Sequence, residues 1–208
     1  MRNQDTHIII FAKAPIAGFA KTRLIPALGE QGAASLAKQL FDYAVCEALS
    51  SKVKSVEICV TPAIEHASWH DINLPHDVAI SSQGEGDLGQ RMARAAKRAL
   101  DRHQYVLLMG TDCPELTQQF INYAIEALAC HDACLAPVLD GGYALMGLSA
   151  FDSSLFQDIP WSTDQVSALT LERFRMLGWQ VARLKELHDI DEAEDLKFLP
   201  EHFKASFS

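Results

Sequence analysis

Short runs of Val, Ile, Leu and Met, several of them closed by Gly or Pro, alternate along the chain with stretches whose apolar residues recur every three to four positions. The runs at 7–12, 53–60, 78–80, 105–109, 133–138, 143–147 and 181–184 predict strands. The stretches at 30–49 and 88–100, one opened by Thr117, one ending at Gly178 and one at 192–199 predict helices. Leu36, Leu40, Tyr43, Ala44 and Ala48 share a face of the first helix. Leu88, Met92, Ala95 and Ala99 are expected to point inward from the second. Strands alternating with helices imply an α/β fold with a doubly wound, mainly parallel sheet. The Asp140-Gly-Gly-Tyr143 turn joins two strands with too few residues for a crossover, so those two should pair antiparallel and the sheet should be mixed.

That frame places the polar residues. Tyr105-Val-Leu-Leu-Met-Gly-Thr-Asp-Cys-Pro114 is a run apolar on both faces that stops at Gly110 and delivers Asp112 two residues later. Ligands of open α/β sheets bind beyond the carboxyl ends of strands, where Asp112 falls. Its other reading is a cap on the following helix. The loop after the first strand carries Lys13, Gly18, Lys21 and Arg23. It lacks the glycine before Lys-Thr of a Walker loop and the three glycines of a dinucleotide fingerprint. It could neutralise a diphosphate by charge, or be a solvated basic loop; an exposed loop position would make Lys21 or Arg23 dispensable for stability. In Gln83-Gly-Glu-Gly-Asp-Leu-Gly-Gln-Arg91, Gly84 and Gly86 would let a backbone approach a ligand, and Asp87 could cap the helix. Asp189-Ile-Asp191 offers hard oxygen ligands for Mg²⁺ or Mn²⁺, or a helix cap. Asp140-Gly141-Gly142 reads as a tight turn or a substrate contact, and Trp161 as a loop anchor or a substrate wall. His188 reads as structural, for no nucleophile accompanies it.

Composition narrows the classes. At 208 residues, 49% apolar and 22% charged, the chain suits one domain, 1–208, with a real core. A net charge of −9 argues against nucleic acid as a partner, since that needs clustered Lys and Arg. Five cysteines without paired spacing read as reduced thiols of a cytoplasmic protein. The apolar run near the N-terminus is too short for a signal segment or a membrane span.

Taken in order, these motifs resemble a known group. Phe-Ala-Lys-x-Pro-x-x-Gly-x-x-Lys-Thr-Arg-Leu, Gly-Asp-Leu-Gly-x-Arg-Met, Gly-x-Asp-Cys-Pro-x-Leu, Asp-Gly-Gly-Tyr, Pro-Trp-Ser-Thr and Asp-Ile-Asp, spread from about residue 8 to 196, look like the small bacterial glycosyltransferase-like family tied to radical-SAM and arsenosugar pathways. That family falls in the nucleotide-diphospho-sugar transferase superfamily and is similar to the 2-phospholactate and molybdenum-cofactor guanylyltransferases. The resemblance implies a GT-A-like (Rossmann-like) three-layer sandwich with a mixed, mostly parallel sheet. It implies that Asp112 and Asp191 hold Mg²⁺ or Mn²⁺. It places Lys13, Lys21 and Arg23 at the phosphates, and Gln83, Gly86, Asp87 and Arg91 at the base and ribose, with Ala12 and Gly18 as further expected nucleotide contacts. Asp140, Gly141, Gly142 and Trp161 are expected across the cleft at the acceptor, with Asp140 (or Asp164) as a base beside the catalytic Asp112. Glu192-Ala193 departs from the Thr-Pro that often follows Asp-Ile-Asp in related sequences. The lone Asp of Gly-x-Asp-x-Pro, without the Asp-x-Asp of many glycosyltransferases, looks more like the nucleotidyltransferases.

The expected activity is transfer of a sugar from a nucleotide-sugar donor to a small-molecule acceptor, with no nucleic acid or membrane as partner. Nucleotidyl transfer to a phosphorylated small molecule is the alternative, and nucleotide binding without turnover is a third. The oligomeric state, the base, the sugar and the acceptor are not written in the sequence.

Overall fold

The computed structural model describes residues 5–70, 72–76 and 78–204, so residues 1–4 and 205–208 of the expected 1–208 domain lie outside the described part. Seven strands form one sheet: β1 (Thr6–Lys13), β2 (Ser55–Thr61), β3 (Ala79–Ser82), β4 (Tyr105–Met109), β5 (Ala133–Pro137), β6 (Tyr143–Leu148) and β7 (Val181–Arg183), in the order β3-β2-β1-β4-β6-β5-β7. All neighbours run parallel except β6, which is antiparallel to both β4 and β5. The short turn at Asp140 thus produces the mixed sheet it was expected to produce.

The inner strands, β1, β2, β4, β5 and β6, are buried on both faces, whereas the edge strands β3 and β7 are not. Ile8 and Ile10 of β1 pack with Phe41, Ala44 and Val45 of α1 (Ile25–Ser50) and with Ile121 and Leu128 of α3 (Gln118–Leu128). Ile9, one residue out of phase, packs with Met92, Ala95 and Ala99 of α2 (Leu88–Leu100) and Phe174 of α4 (Val166–Met176). Period-two alternation in an all-apolar run therefore feeds two helical layers, which is the three-layer sandwich.

Helix ends follow their chemistry. Asp87 and Gln90 make a reciprocal capping box at α2, and Thr117 accepts from Phe120 N at α3. Gly178, with φ +73°, stops α4 as expected. Some boundaries moved. Helical structure begins at Ile25, not 30, because Pro26 presets the first turn, but Gly29 at φ 71° breaks it before the helix proper. The last segment is a 3₁₀ helix, Ala193–Phe198, followed by α5 (Glu201–Lys204). Leu88 was expected in the core and is 43% exposed: as the first residue of α2 it overhangs the sheet edge, at the rim of a cleft.

Within β2, between β1 and β3, Glu57 is buried among His7, Ser81 and Arg98. Burial pushes its carboxyl upward, but hydrogen bonds from His7 and Ser81 and the Arg98 charge outweigh that and hold it below the usual range. A depressed carboxylate stabilises the fold above its unfolded pKa, and the contribution is lost as pH falls through the folded value. Urea midpoints are thus expected to drop in acid, starting near pH 4.5. Glu57→Gln should destabilise the protein by about 1–3 kcal/mol at pH 7 and flatten that acid slope. An unchanged slope would assign the acid sensitivity to other carboxylates.

Candidate active site

The carboxyl ends of β1 and β4 and the segment after β7 meet at one sheet edge. Gly110 and Thr111 carry the chain out of β4 to Asp112, and Ile190 N donates to the Asp112 carbonyl at 2.9 Å. Ile190 is fully buried, which fixes Asp189 and Asp191 on either side of it at the cleft. Glu115 holds the same segment from below: its Oε2 accepts from His188 N at 2.8 Å and lies 2.8 Å from His188 Nδ1, while Lys185 Nζ donates to Oε1 at 3.0 Å. His188 also stacks on Phe198, ring centroids 3.9 Å apart, consistent with a structural role. Asp195 Oδ2 accepts from Asp191 N and Glu192 N at 3.0 and 2.7 Å, so Glu192-Ala193 still leads into an ordered turn.

Lys21 is the pivot of this edge. Its side chain is only 5% exposed, and Nζ lies 2.9 Å from Asp112 Oδ1 and 3.7 Å from Asp191 Oδ1. The approach angles are not those of a hydrogen bond, so the ammonium is charge-paired but has no aligned acceptor. A buried donor without an acceptor is destabilising. Lys21 also sits at φ 49°, ψ 46°, a left-handed conformation that disfavours a side chain. Lys21 is therefore no exposed loop residue, which corrects the expectation that its loss would leave stability untouched. Backbone strain and a buried ammonium that is charge-paired but lacks an aligned hydrogen bond mark, at one residue, a place shaped for a ligand. Arg23 Nη1 donates to Asp191 Oδ2 at 2.8 Å, and Lys13 Nζ to the Phe19 carbonyl at 2.8 Å, across a loop that turns at Gly18, φ +78°. These three cations line one cavity of about 300 Å³.

A second cavity, about 330 Å³, adjoins it and shares Phe11, Asp112 and Asp191 with it. Asp140, Gly142 and Trp161 line this second cavity, together with Asp189. Burial, and next the Asp140 carboxylate, push Asp189 up to about 6. Asp140 Oδ1 accepts from Gly142 N at 2.8 Å and so also closes the turn. Gly141, φ +88°, packs so tightly on the Asp164 backbone that a Cβ would lie 2.1 Å from its carbonyl oxygen. Gly89 seats Trp161 in the same way, a Cβ there falling 2.5 Å from the indole Nε1. Asp164 supplies that backbone wedge and is not among the residues lining the cavity. A further cavity of about 310 Å³, beside Phe41 and Pro75, lies away from this edge.

Two expected ligand contacts sit beneath the cleft rather than in it. Ala12 is 1% exposed, and its carbonyl accepts from Gln83 Nε2 at 3.2 Å. Gln83 is buried, and its amide also donates to the Cys59 carbonyl at 3.0 Å, bolting the loop to the sheet. Arg91 Nε donates to the Gly86 carbonyl at 2.8 Å, and Asp87 is engaged in its cap, so these two shape the loop while remaining at the surface. Glu115, Asp195 and Gly89 were not singled out beforehand, and Asp189 was named without a separate role.

Among the described residues no three or more His, Cys, Asp or Glu are grouped so as to hold a metal ion. Asp112 and Asp191 converge on the Lys21 ammonium, and their oxygens are of the kind a hard ion takes, with phosphate and water as its remaining ligands, if it displaces that cation or shares the site with it. No helix of the described residues is long and apolar enough to cross a membrane.

A mixed seven-stranded sheet with cations and carboxylates at its carboxyl edge has the architecture of the nucleotidyl- and sugar-transferase folds. A crystal structure of a proposed nucleotide-diphospho-sugar transferase from Desulfovibrio desulfuricans G20 is 29% identical, with a TM-score of 0.88 over 98% of this chain and 89% of that one. A nucleotidyl transferase from Methanothermobacter is 15% identical, with a TM-score of 0.63 over 97% and 98% of the two chains. Rv0371C of Mycobacterium tuberculosis H37Rv, solved in complex with manganese, is 14% identical, with a TM-score of 0.55 over 95% and 98%. No curated protein matches the chain. The chain belongs to the family described as "Uncharacterized protein conserved in bacteria (DUF2064)", whose profile matches residues 44–163.

Proposed function

We propose that the protein is a metal-dependent glycosyltransferase that takes a nucleotide-sugar donor and a small-molecule acceptor, within a single domain of residues 1–208. The observation that carries this reading is the buried, acceptor-less Lys21 ammonium between Asp112 and Asp191 at the sheet edge. A diphosphate oxygen would give that ammonium an aligned acceptor, while Lys13 and Arg23 flank it. Asp112 and Asp191 would hold Mg²⁺ or Mn²⁺, and the manganese complex of Rv0371C supports a divalent ion in this fold. Such an ion supplies positive charge to a departing diphosphate without a proton. In the transfer, the sugar C1–O bond to the diphosphate breaks as a bond from C1 to the acceptor oxygen forms. The hydroxyl proton passes to a carboxylate across the cleft, Asp140 in this reading, and the nucleoside diphosphate leaves.

The lone Asp of Gly110-Thr-Asp-Cys-Pro114 and the Methanothermobacter structure favour one other reading, nucleotidyl transfer to a phosphorylated acceptor, kin to the guanylyltransferases. Incubation with NTPs and separately with UDP- and GDP-sugars decides between them. Sugar transfer is expected; pyrophosphate release would overturn the glycosyl reading, and tight binding without product would leave only a nucleotide-binding protein.

Lys21→Met provides a second check. Loss of a charge-assisted contact worth about 1.5–3 kcal/mol should weaken nucleoside diphosphate binding by roughly 10–150-fold. The same change frees Asp112 and Asp191 from a competing cation, so Mn²⁺ alone should bind more tightly than it does to the wild type. Titrations showing both affinities unchanged would place the phosphates elsewhere.

A further inference from the structure

We infer that the second cavity takes an acceptor bearing neither phosphate nor carboxylate: a hydroxylated molecule, uncharged or carrying an amine. This rests on the glycosyl-transfer reading for the word acceptor, but its physical basis is the segregation of charge along the cleft. The three cations lie in the first cavity, whereas among the described residues no Lys, Arg or His lines the second. Four carboxylates face the second: Asp112, Asp140, Asp189 and Asp191. Asp112 and Asp191 are answered by Lys21 and Arg23. Asp140 and Asp189 enter no ion pair among the described residues, and a carboxylate lining the cavity raises the cost of a further negative charge nearby. Carboxylates accept hydrogen bonds only, so what they receive well is O–H or N–H.

The remaining walls suit the apolar face of such a molecule. Trp161 is held in place by the absence of a side chain at Gly89, and Met92, Tyr143 and Val166 continue the surface. A fixed aromatic ring opposite hydroxyl-accepting carboxylates is the pairing that a sugar-like ring, apolar on its faces and polar at its edge, can fill. A phosphorylated acceptor, by contrast, would find no cationic side chain among the described residues lining this cavity.

The test uses the whole chain with Mg²⁺ and methylenediphosphonate, which fills the basic cavity whatever the base of the natural donor. Saturation-transfer NMR then compares methyl glucoside and glucosamine with glucose 6-phosphate and glucuronate. The uncharged and amino compounds are expected to bind at least about tenfold more tightly than the anionic ones, an estimate from like-charge repulsion. Trp161→Ala should remove their signal, and Asp140→Asn combined with Asp189→Asn should narrow the gap, with circular dichroism confirming that each variant is folded. Should Trp161→Ala not fold, the double carboxylate variant alone carries the comparison. Anionic compounds binding as well as their partners would overturn the inference, as would no binding by any uncharged or amino member. Pyrophosphate release from NTPs would instead overturn the donor chemistry, whereas the binding comparison, made without a donor, reads the charge preference of the cavity separately.

Discussion

Asp112→Asn is expected to abolish metal-dependent turnover while the protein stays folded. The carboxylate projects from the loop after β4 with about half its surface exposed, and the contact that ties the loop to the 189–191 segment uses the Asp112 backbone carbonyl, which the substitution keeps. Stability should change by about 1–3 kcal/mol, because the amide leaves the buried Lys21 ammonium with Asp191 as its remaining charge partner. The chemistry has no such reserve. An amide carries no charge to share with Asp191 in binding a hard cation, and the charge stabilisation such a cation gives is worth several kcal/mol. At 1.36 kcal/mol per tenfold, a loss of about 3 kcal/mol is already about a hundredfold in rate. Initial rates at saturating Mn²⁺, with a thermal melt of the same preparation, separate the two effects. A variant retaining more than about a tenth of wild-type turnover would remove Asp112 from the reaction.

Gly141→Ala should have the largest effect on the fold of any single-methyl addition near the cleft. Two conditions act together at this position. A side chain at φ +88° costs about 1–3 kcal/mol, and overpacking against fixed atoms a further 1–3. Those atoms are the backbone of Asp164, 2.1 Å from a built Cβ, and they cannot swing aside as a side-chain end would. The Gly141 carbonyl also accepts from Ser167 N at 2.7 Å, next to the start of α4, so the strain reaches the segment that carries Trp161. A loss of about 2–6 kcal/mol should lower Tm by about 5–20 °C in a chain of this length. Gly178→Ala is the internal comparison. It has a similar φ, +73°, but open space around it, and should cost only about 1 kcal/mol. Equal melting shifts in the two variants would show that the packing on Asp164 carries no energy.

The elements were legible because their signals are local. The run from Tyr105 to Met109 is apolar at every position but the first, which fits a strand covered on both sides, and the Asp140-Gly-Gly turn allowed only antiparallel pairing. Leu88 misled because helical periodicity says which face a residue takes, not whether the neighbouring layer extends far enough to cover it. The candidate site was legible only in part. Asp112, Asp191 and the cations of the first loop do come together at one edge. The burial of Lys21 was not readable, since it depends on two acids remote in sequence and on a left-handed backbone that no neighbouring residue signals. Gln83 misled for a related reason: glycines around it suggested a ligand loop, whereas its amide is consumed by the carbonyls of Ala12 and Cys59 on two strands. Glu115 had a faint signal in its place just after Asp112, but its partner His188 is 73 residues away.

The central claim is that Asp112 and Asp191 share one divalent ion with a diphosphate brought in by the basic loop. Water-proton relaxation of Mn²⁺ tests it directly, read with the wild type, Asp112→Asn and Asp191→Asn, each with and without UDP and GDP. The account predicts strong enhancement only when wild-type protein and a nucleoside diphosphate are both present, because phosphate completes the coordination. It predicts that either substitution removes that enhancement without unfolding the protein. Enhancement that persists undiminished in both variants would contradict it.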